Sequence, residues 1–328
     1  MRRRELLPLL GAGLTAGFAG WNGGRKVAVR SFPNPSVAVI KAASYSIDLT
    51  AKIVDGLKAC KLDPSGKTVL LKPALVDLDP NGCINTHASV VAEAYRAFQQ
   101  LGAASITIGD GPEYHRDTWE LIEAAGYRQQ IPDCDSRFVD LNGDDVVAVA
   151  DFAGVDQMYL SATALGADIV VSLAKLKTHH RTGVSLSMQN LFGVVPGSIY
   201  GWPKHELNQI GLSDAALELT RHLAFTSPTR KVFAIVDGIV GMEGRGPILG
   251  DAKQAGVLIM GSDLPSVDAT CCRIMGIDPA KLEYLSVAAD RVGVIDEQKI
   301  EQRGEKLKDV RAVFKLLPQN EQYRMTPA

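Results

Sequence analysis

Between residues 167 and 197 the chain reads Ala-Asp-Ile-Val-Val-Ser-Leu-Ala-Lys-Leu-Lys-Thr-His-His-Arg-Thr-Gly-Val-Ser-Leu-Ser-Met-Gln-Asn-Leu-Phe-Gly-Val-Val-Pro-Gly. An apolar strand runs straight into Lys175, Lys177, His179, His180 and Arg181. On an extended chain Lys175, Lys177 and His179 share one face, because side chains alternate, and His180 turns the other way. Thr182-Gly183 predicts a helix start, where free N–H groups and the dipole attract an anion. Lysines beside such a terminus suit a phosphate or a carboxylate. The two histidines suit proton transfer. The bland alternative is a solvated basic loop.

Three other segments carry similar chemistry. Thr68–Leu71 reads as a strand ending at Lys72-Pro73. Ser105–Ile108 ends at Gly109-Asp110-Gly111, with His115 five residues beyond Asp110. Asp110 and His115 fit acid, base or metal-ligand roles, and Asp110 fits a turn equally well. Val232–Val236 ends at Asp237 in a glycine-rich stretch that also holds Glu243. Two carboxylates on such a loop suit a divalent cation or proton abstraction. No Gly-Lys-Ser/Thr follows, and no Gly-x-Gly-x-x-Gly opens a helix, so neither a P-loop nor a dinucleotide fingerprint is present. Gln189 and Asn190 either orient a ligand or satisfy loop backbone. Tyr200 and Trp202 form a ligand wall or fill core. Asp263 and Asp268 read as caps of the helix beginning at Leu264. The catalytic candidates are therefore His179, His180, His115 and Asp110. The anion-binding candidates are Lys72, Lys175, Lys177 and Asn190, and the metal candidates are Asp237 and Glu243.

Stepping along the chain, strands and helices alternate. Helical spacing covers Ile47–Cys60, Ala88–Leu101, Thr118–Ala125, Leu207–Ala224 and Leu264–Met275. Further strands are Val37–Ile40, Asp168–Leu173 and Gly256–Met260, with Arg137–Leu141 and Val146–Ala150 flanking a turn at Asn142-Gly143-Asp144. The pattern is α/β: mostly parallel sheets with helices on both faces, in two Rossmann-like lobes with the site between them. Ligands in such sheets bind outside the carboxyl ends of the strands. The ends at 72, 110, 175–181 and 237 should then meet in one cleft.

Composition narrows the classes. Hydrophobic residues make up 46% of the 328, and the net charge is −2, which argues against a nucleic-acid binder. The five cysteines (Cys60, Cys83, Cys134, Cys271, Cys272) include no Cys-x-x-Cys, so no iron–sulfur cluster or zinc ribbon is expected. Arg2-Arg3-Arg4 precedes an uncharged run from Leu6 to Gly20, a basic and then apolar pattern too short to span a membrane comfortably. Arg3-Arg4-x-Leu-Leu resembles a twin-arginine export signal. Residues 1–24 thus read as a signal for the twin-arginine machinery, cleaved after Ala19 or retained as an anchor, and the protein as periplasmic or otherwise exported.

The segments Leu70-Leu-Lys-Pro73, Gly109-Asp-Gly111, Ala167–Ser172, Lys175–His180, Asn190–Gly197 and Asp237–Gly244 resemble the domain-of-unknown-function 362 (DUF362) family over residues 37 to 290. The resemblance implies one α/β domain, taken as 36–292, with a C-terminal extension at 293–328. It implies no particular reaction. In outline, Thr178-His-His180 through Pro196-Gly197, with His115-Arg116, is also similar to the nickel-pincer lactate racemases. That family uses a histidine pair as acid and base beside a lysine-held cofactor.

The expected function is an exported enzyme, an isomerase/racemase or an oxidoreductase, that binds a small anionic substrate or cofactor and uses histidine acid–base chemistry. A hydrolase also fits these residues, and so does a divalent metal as cofactor. The competing class is a non-catalytic periplasmic metal- or anion-binding protein. The sequence sets no oligomeric state. Changing Arg3 and Arg4 to Lys should leave the chain in the cytoplasm. Fractionation that finds export unchanged would rule out the twin-arginine reading.

Overall fold

The computed structural model describes residues 34–112 and 116–326. The expected signal at 1–24 and the candidate His115 lie outside the described residues. The strands are β1 (Ser36–Lys41), β2 (Thr68–Pro73), β3 (Ser105–Asp110), β4 (Phe138–Asp140), β5 (Val146–Phe152), β6 (Val155–Ser161), β7 (Ile169–His179), β8 (Gly183–Ser185), β9 (Lys231–Glu243), β10 (Asp251–Gly261) and β11 (Glu301–Gly304). The helices that bear on the site are α1 (Leu49–Ala59), α2 (Ala88–Gln100), α3 (Ser187–Asn190), α4 (Leu212–Phe225) and α5 (Leu264–Met275).

Nine strands form one sheet in the order β11-β1-β10-β9-β7-β2-β3-β4, with β8 paired to β7. β2, β3, β4, β7 and β9 run parallel to their neighbours within that block, and β10 is antiparallel to both β1 and β9. The fold is mixed α/β with helices on both faces. The anticipated two lobes are a single continuous sheet, because β7 pairs β2 on one side and β9 on the other.

Alternation along β7 explains the layers. Ile169, Val171 and Leu173 join a core with α1 and α2, while Val170, Ala174 and Leu176 join one with α4 and α5. A strand covered on both faces must be apolar on both, as this one is. From β2 the chain steps outward through β3 and β4, returns to β7 on the other side of β2, and then steps the opposite way to β9. The reversal lies between β2 and β7, where open α/β sheets leave a crevice at their carboxyl edge.

Several expectations change in detail. β7 continues to His179, six residues past Leu173, so the lysines sit on a strand. The glycine-rich stretch after Asp237 is strand as far as Glu243, and only residues 244–250 form the expected loop. A Cβ at Gly241 would lie 2.6 Å from the Leu176 carbonyl oxygen, so glycine there lets β9 press on β7. Arg137–Leu141 and Val146–Ala150 do not pair with each other. β4 pairs β3, and β5 pairs the strand that follows it, β6, as a separate antiparallel ribbon. The helix expected over Leu207–Ala224 breaks at Gly211, whose φ is +99°. Among the described residues no helix is long and apolar enough to cross a membrane.

The helix expected to open at Thr182-Gly183 does not exist. Those residues turn into β8, and α3 starts only at Ser187. Its first N–H groups are already occupied. Asp268, expected to cap its own helix, instead reaches from α5 to accept from Ser187 N (2.9 Å), Met188 N (3.2 Å) and Tyr284 Oη (3.1 Å). Burial pushes its carboxyl up to about 6 against these donors. The cap of α5 is Asp263, accepting from Ser266 N at 2.9 Å. Asp268→Ala would orphan several buried donors at a cost of about 1–3 kcal/mol each, partly relieved by rearrangement. We expect urea unfolding to show a loss of about 3 kcal/mol, and a loss under 1 kcal/mol would refute the capping role.

Candidate functional site

A cleft of about 270 Å³ opens at the carboxyl edge of β2, β3 and β7, and Lys72, Asp110, Lys175, Lys177, His179 and His180 all line it. Lys72 has the parity of Leu70, and Lys175 and Lys177 that of Leu173, so the two sets leave the sheet on opposite faces and meet over its edge. Asp237 stands directly behind Lys175. The four strand ends therefore converge as expected, and their residues differ in the partners they hold.

Lys72 and Asp110 form a buried ion pair, Nζ to Oδ1 2.6 Å. Lys72 also donates to Pro73 O and to Asn190 Oδ1, each at 3.1 Å. Asp110 accepts from Leu75 N and Gly111 N, each at 2.8 Å. Burial lowers the Lys72 pKa, and Asp110 opposes that shift. Asn190 Nδ2 donates to Lys72 O and Ser172 Oγ, each at 3.0 Å, so its amide serves the scaffold. Gly193 makes room for the pair, since a Cβ there would collide with Asp110 Oδ1 and Lys72 Nζ. Asp110, Lys72 and Asn190 line the cleft with each of these groups already engaged inside the protein.

Lys175 is engaged as well. Its Nζ meets Asp237 Oδ2 at 2.7 Å, Val240 O at 3.1 Å and Tyr45 Oη at 3.2 Å. The Val240 carbonyl reaches it because β9 bulges: Lys175 pairs with Asp237 but Lys177 with Met242. Asp237 also accepts from Tyr45 Oη (3.1 Å), His87 N (3.2 Å) and Ile239 N (3.2 Å). Tyr45 stacks on His87 with ring centroids 3.7 Å apart. Burial and the Asp237 charge hold the Tyr45 phenol well above its ordinary range, so it remains a donor. Tyr45 and His87 have no local pattern that marks them in the sequence.

The expected metal pair does not form. Asp237 neutralises Lys175, while Glu243, six residues on, accepts from Lys315 N at 2.9 Å and faces Lys253 and Lys315 at 3.8 and 3.6 Å. Among the described residues no group of three or more His, Cys, Asp or Glu is placed to hold a metal ion.

Lys177 differs from the other two lysines. It is 3% exposed and donates to Ile84 O at 2.9 Å, and no carboxylate among the described residues lies within ion-pair distance. The Ile84 carbonyl sits on a loop held by Asp79, which accepts from Cys83, Ile84 and Asn85 N at 2.7–2.9 Å. Asp79-Pro80-Asn81-Gly82 is a turn signature that would have found this loop. Burial, then the Lys175 charge, lowers the Lys177 pKa to about 8. Between pH 8 and 10.5 the unfolded chain holds more protons at this residue. Its cost to folding is therefore full below pH 8 and fades as pH rises to 10.5.

His179 and His180 do not face opposite ways. β7 ends at His179, and the rings stack with centroids 4.8 Å apart and planes 13° from parallel. His179 Nδ1 accepts from Arg181 N and Thr182 N, each at 3.1 Å, which leaves the proton on Nε2. Burial, then neighbouring His180, lowers its pKa to about 3, so it is neutral near pH 7. His180 Nδ1 lies 3.1 Å from the Gly246 carbonyl oxygen, which can only accept, so Nδ1 carries the proton and Nε2 a lone pair. The pair thus presents one fixed donor and one fixed acceptor. With its pKa so lowered, His179 is a poor base near pH 7.

A family profile described as "Domain of unknown function (DUF362)" matches residues 69–273. A thylakoid-associated protein of Synechocystis sp. (strain ATCC 27184 / PCC 6803 / Kazusa) is 31% identical over 235 residues, covering 70% of this chain and 69% of that protein. The chain belongs to the DUF362 family. Among solved structures, the DUF362 chain is similar to the lactate racemase apoprotein of Thermoanaerobacterium thermosaccharolyticum at 12% identity and a TM-score of 0.45. That match covers 75% of this chain and 59% of the racemase, so the chain spans under two thirds of its length. A Thermotoga maritima protein matches at 14% identity and a TM-score of 0.40, over 68% of this chain and 58% of that one.

Removing one partner of a buried ion pair leaves the other charge uncompensated, at about 3–5 kcal/mol. Asp110→Leu alone and Lys72→Met alone should each destabilise this DUF362 protein by that amount. The double variant should recover most of the loss. Additive losses in a double-mutant cycle would show that the pair is not coupled.

Proposed function

We propose that this protein is an exported enzyme that binds a small organic anion in the cleft and moves a proton to or from it. Lys177 is the anchoring charge. His180 Nε2 takes the proton, and His179 Nε2–H donates to an oxygen on which negative charge develops. The observation that carries this reading is the stacked histidine pair, its two tautomers fixed in opposite senses by backbone groups, beside a buried lysine that pairs with no carboxylate among the described residues. A neutral imidazole held as a donor stabilises developing charge without giving up its proton, and the neighbouring base works within reach of the same ligand. Export through the twin-arginine machinery belongs to the same reading. It is supported by Arg3-Arg4-x-Leu-Leu and by the description of a relative as thylakoid-associated.

Two measurements test the reading. Wild-type protein incubated in D2O with a panel of C2–C4 oxo and hydroxy acids and their phosphate esters should exchange a carbon-bound hydrogen of at least one, as seen by proton NMR. His180→Gln should lower that rate roughly a hundredfold to ten-thousandfold, with binding retained. Lys177→Met should abolish binding. Because the Lys177 ammonium titrates near 8, affinity should be level below pH 7 and fall about tenfold per unit above pH 8. Binding without any exchange in the wild type would instead identify a non-catalytic anion receptor. Affinity unchanged to pH 9.5 would remove Lys177 as the anchor.

A further inference from the structure

One peptide unit joins the two histidines, and distant parts of the chain hold it at both ends. The His180 N–H donates to Gly246 O at 2.9 Å, and the His180 ring Nδ1 meets the same oxygen at 3.1 Å. At the other end the His179 carbonyl accepts from Asn320 Nδ2 at 3.0 Å, across 141 positions of sequence. A carbonyl can only accept, so this contact also fixes which way the Asn320 amide points. Asn320 is 3% exposed and sits in a turn of 3₁₀ helix at Pro318–Tyr323. That turn is itself anchored. Tyr323 O accepts from Asp278 N at 2.8 Å, and Arg324 O accepts from Lys281 Nζ at 2.8 Å. The Tyr323 ring lies against Gly183, where a Cβ would be 3.1 Å from it.

The Asn320 contact bears on the ring of His179 as well as on its backbone. In an ordinary β-turn the N–H of the fourth residue returns to the carbonyl of the first. From His179 to Thr182 it does not. The Thr182 N–H, together with that of Arg181, goes to His179 Nδ1. The carbonyl that an ordinary turn would use is held by Asn320 instead. A peptide group is planar, so holding its C=O and its N–H fixes the plane from which both histidine side chains spring. We propose that Asn320 is the positioning residue of the histidine pair: by holding the His179 carbonyl it directs the Arg181 and Thr182 N–H groups onto His179 Nδ1, so that this ring stays an Nε2–H donor stacked beside His180. Without Asn320 the turn N–H groups are free to return to the carbonyl, and Nδ1 loses the donors that keep a proton off it. The consequence for turnover rests on the proton-transfer reading above.

The test uses the full chain, free of ligand, at pH 7, with ¹⁵N-labelled histidine. Long-range ¹H–¹⁵N spectra report which ring nitrogen holds the proton, and His179→Gln and His180→Gln assign the two rings. In the wild type His179 should show a protonated Nε2 and His180 a protonated Nδ1. Asn320→Leu should replace the single His179 tautomer by an exchanging mixture. It should also slow hydrogen exchange of the acid panel by roughly tenfold to a hundredfold, with affinity unchanged. Val310→Ala is the control, since it trims a buried side chain of the same terminal stretch within the core beside α5. It should lower the melting temperature and leave both rings as in the wild type. Ring spectra of Asn320→Leu that match the wild type would overturn the assignment, and so would averaged tautomers in the wild type. The same ring changes in Val310→Ala would also overturn it, by marking them as general destabilisation. If Asn320→Leu fails to fold, Asn320→Ala takes its place. The spectra need no substrate, so a wild type that exchanges none of the acids ends the enzyme reading and leaves the role of Asn320 to be judged on the rings alone.

Discussion

Three lysine ammonium groups lie buried at one edge of one sheet, and much of the local structure is arranged around that fact. A charge taken out of water must be paired or it will neutralise itself. Lys72 meets Asp110 because β2 and β3 are parallel neighbours whose ends lie side by side, and Gly193 leaves space for the contact. Lys175 meets Asp237 because β7 and β9 are in register at that point. The bulge that follows turns the Val240 carbonyl inward as a further acceptor. Glycines at 238 and 241 allow the close approach of β9 that this requires. Lys177 receives one carbonyl from a loop pinned by Asp79, and no carboxylate among the described residues.

The fold was readable because it depends on hydrophobic period. Val69–Leu71 and Ile169–Leu173 are apolar on both faces, which only a strand covered by helices on both sides can satisfy. The convergence of polar strand ends follows from parallel topology and needed no contact information. Strand length was misjudged for a clear reason. Lys175, Lys177 and Glu243 look like loop residues, yet each is on a strand because the structure supplies an internal partner at its position. The helix at Thr182-Gly183 was misread because the acidic residue that governs that turn, Asp268, lies eighty-one positions from Ser187. No local pattern carries such a pairing.

The site was legible as a location but not as a division of labour. Residue types alone made Lys72, Lys175 and Lys177 equivalent, and likewise His179 and His180. Their partners separate them. Lys72 and Lys175 each meet a carboxylate. His179 is a donor because two backbone N–H groups occupy its Nδ1, and His180 is an acceptor because a carbonyl faces its Nδ1. Asn190 and Gln189 are adjacent amides with opposite fates, one fully bonded and one not. Only three-dimensional contacts distinguish them.

The proposed function draws on the groups of the cleft whose bonding is incomplete. Lowering a lysine pKa from 10.5 to about 8 corresponds to roughly 3 kcal/mol of penalty on the charged form. An unpartnered buried amide adds about 1–3 kcal/mol more. Against a typical domain stability of about 5–15 kcal/mol this is a large burden to concentrate in one cavity. It would be removed by apolar residues of the same shape, as Met would do at either position. Lys72 and Lys175 show that this fold can supply a carboxylate to a buried lysine at this edge, while the fully buried Lys204 is held by the carbonyls of Gly111 and Phe192. Lys177, with one carbonyl, and Gln189 Nε2, with no acceptor among the described residues, are groups of the cleft with bonding capacity to spare. A ligand that brought negative charge to Lys177 and an acceptor to Gln189 would recover that free energy on binding, as the proposed function requires.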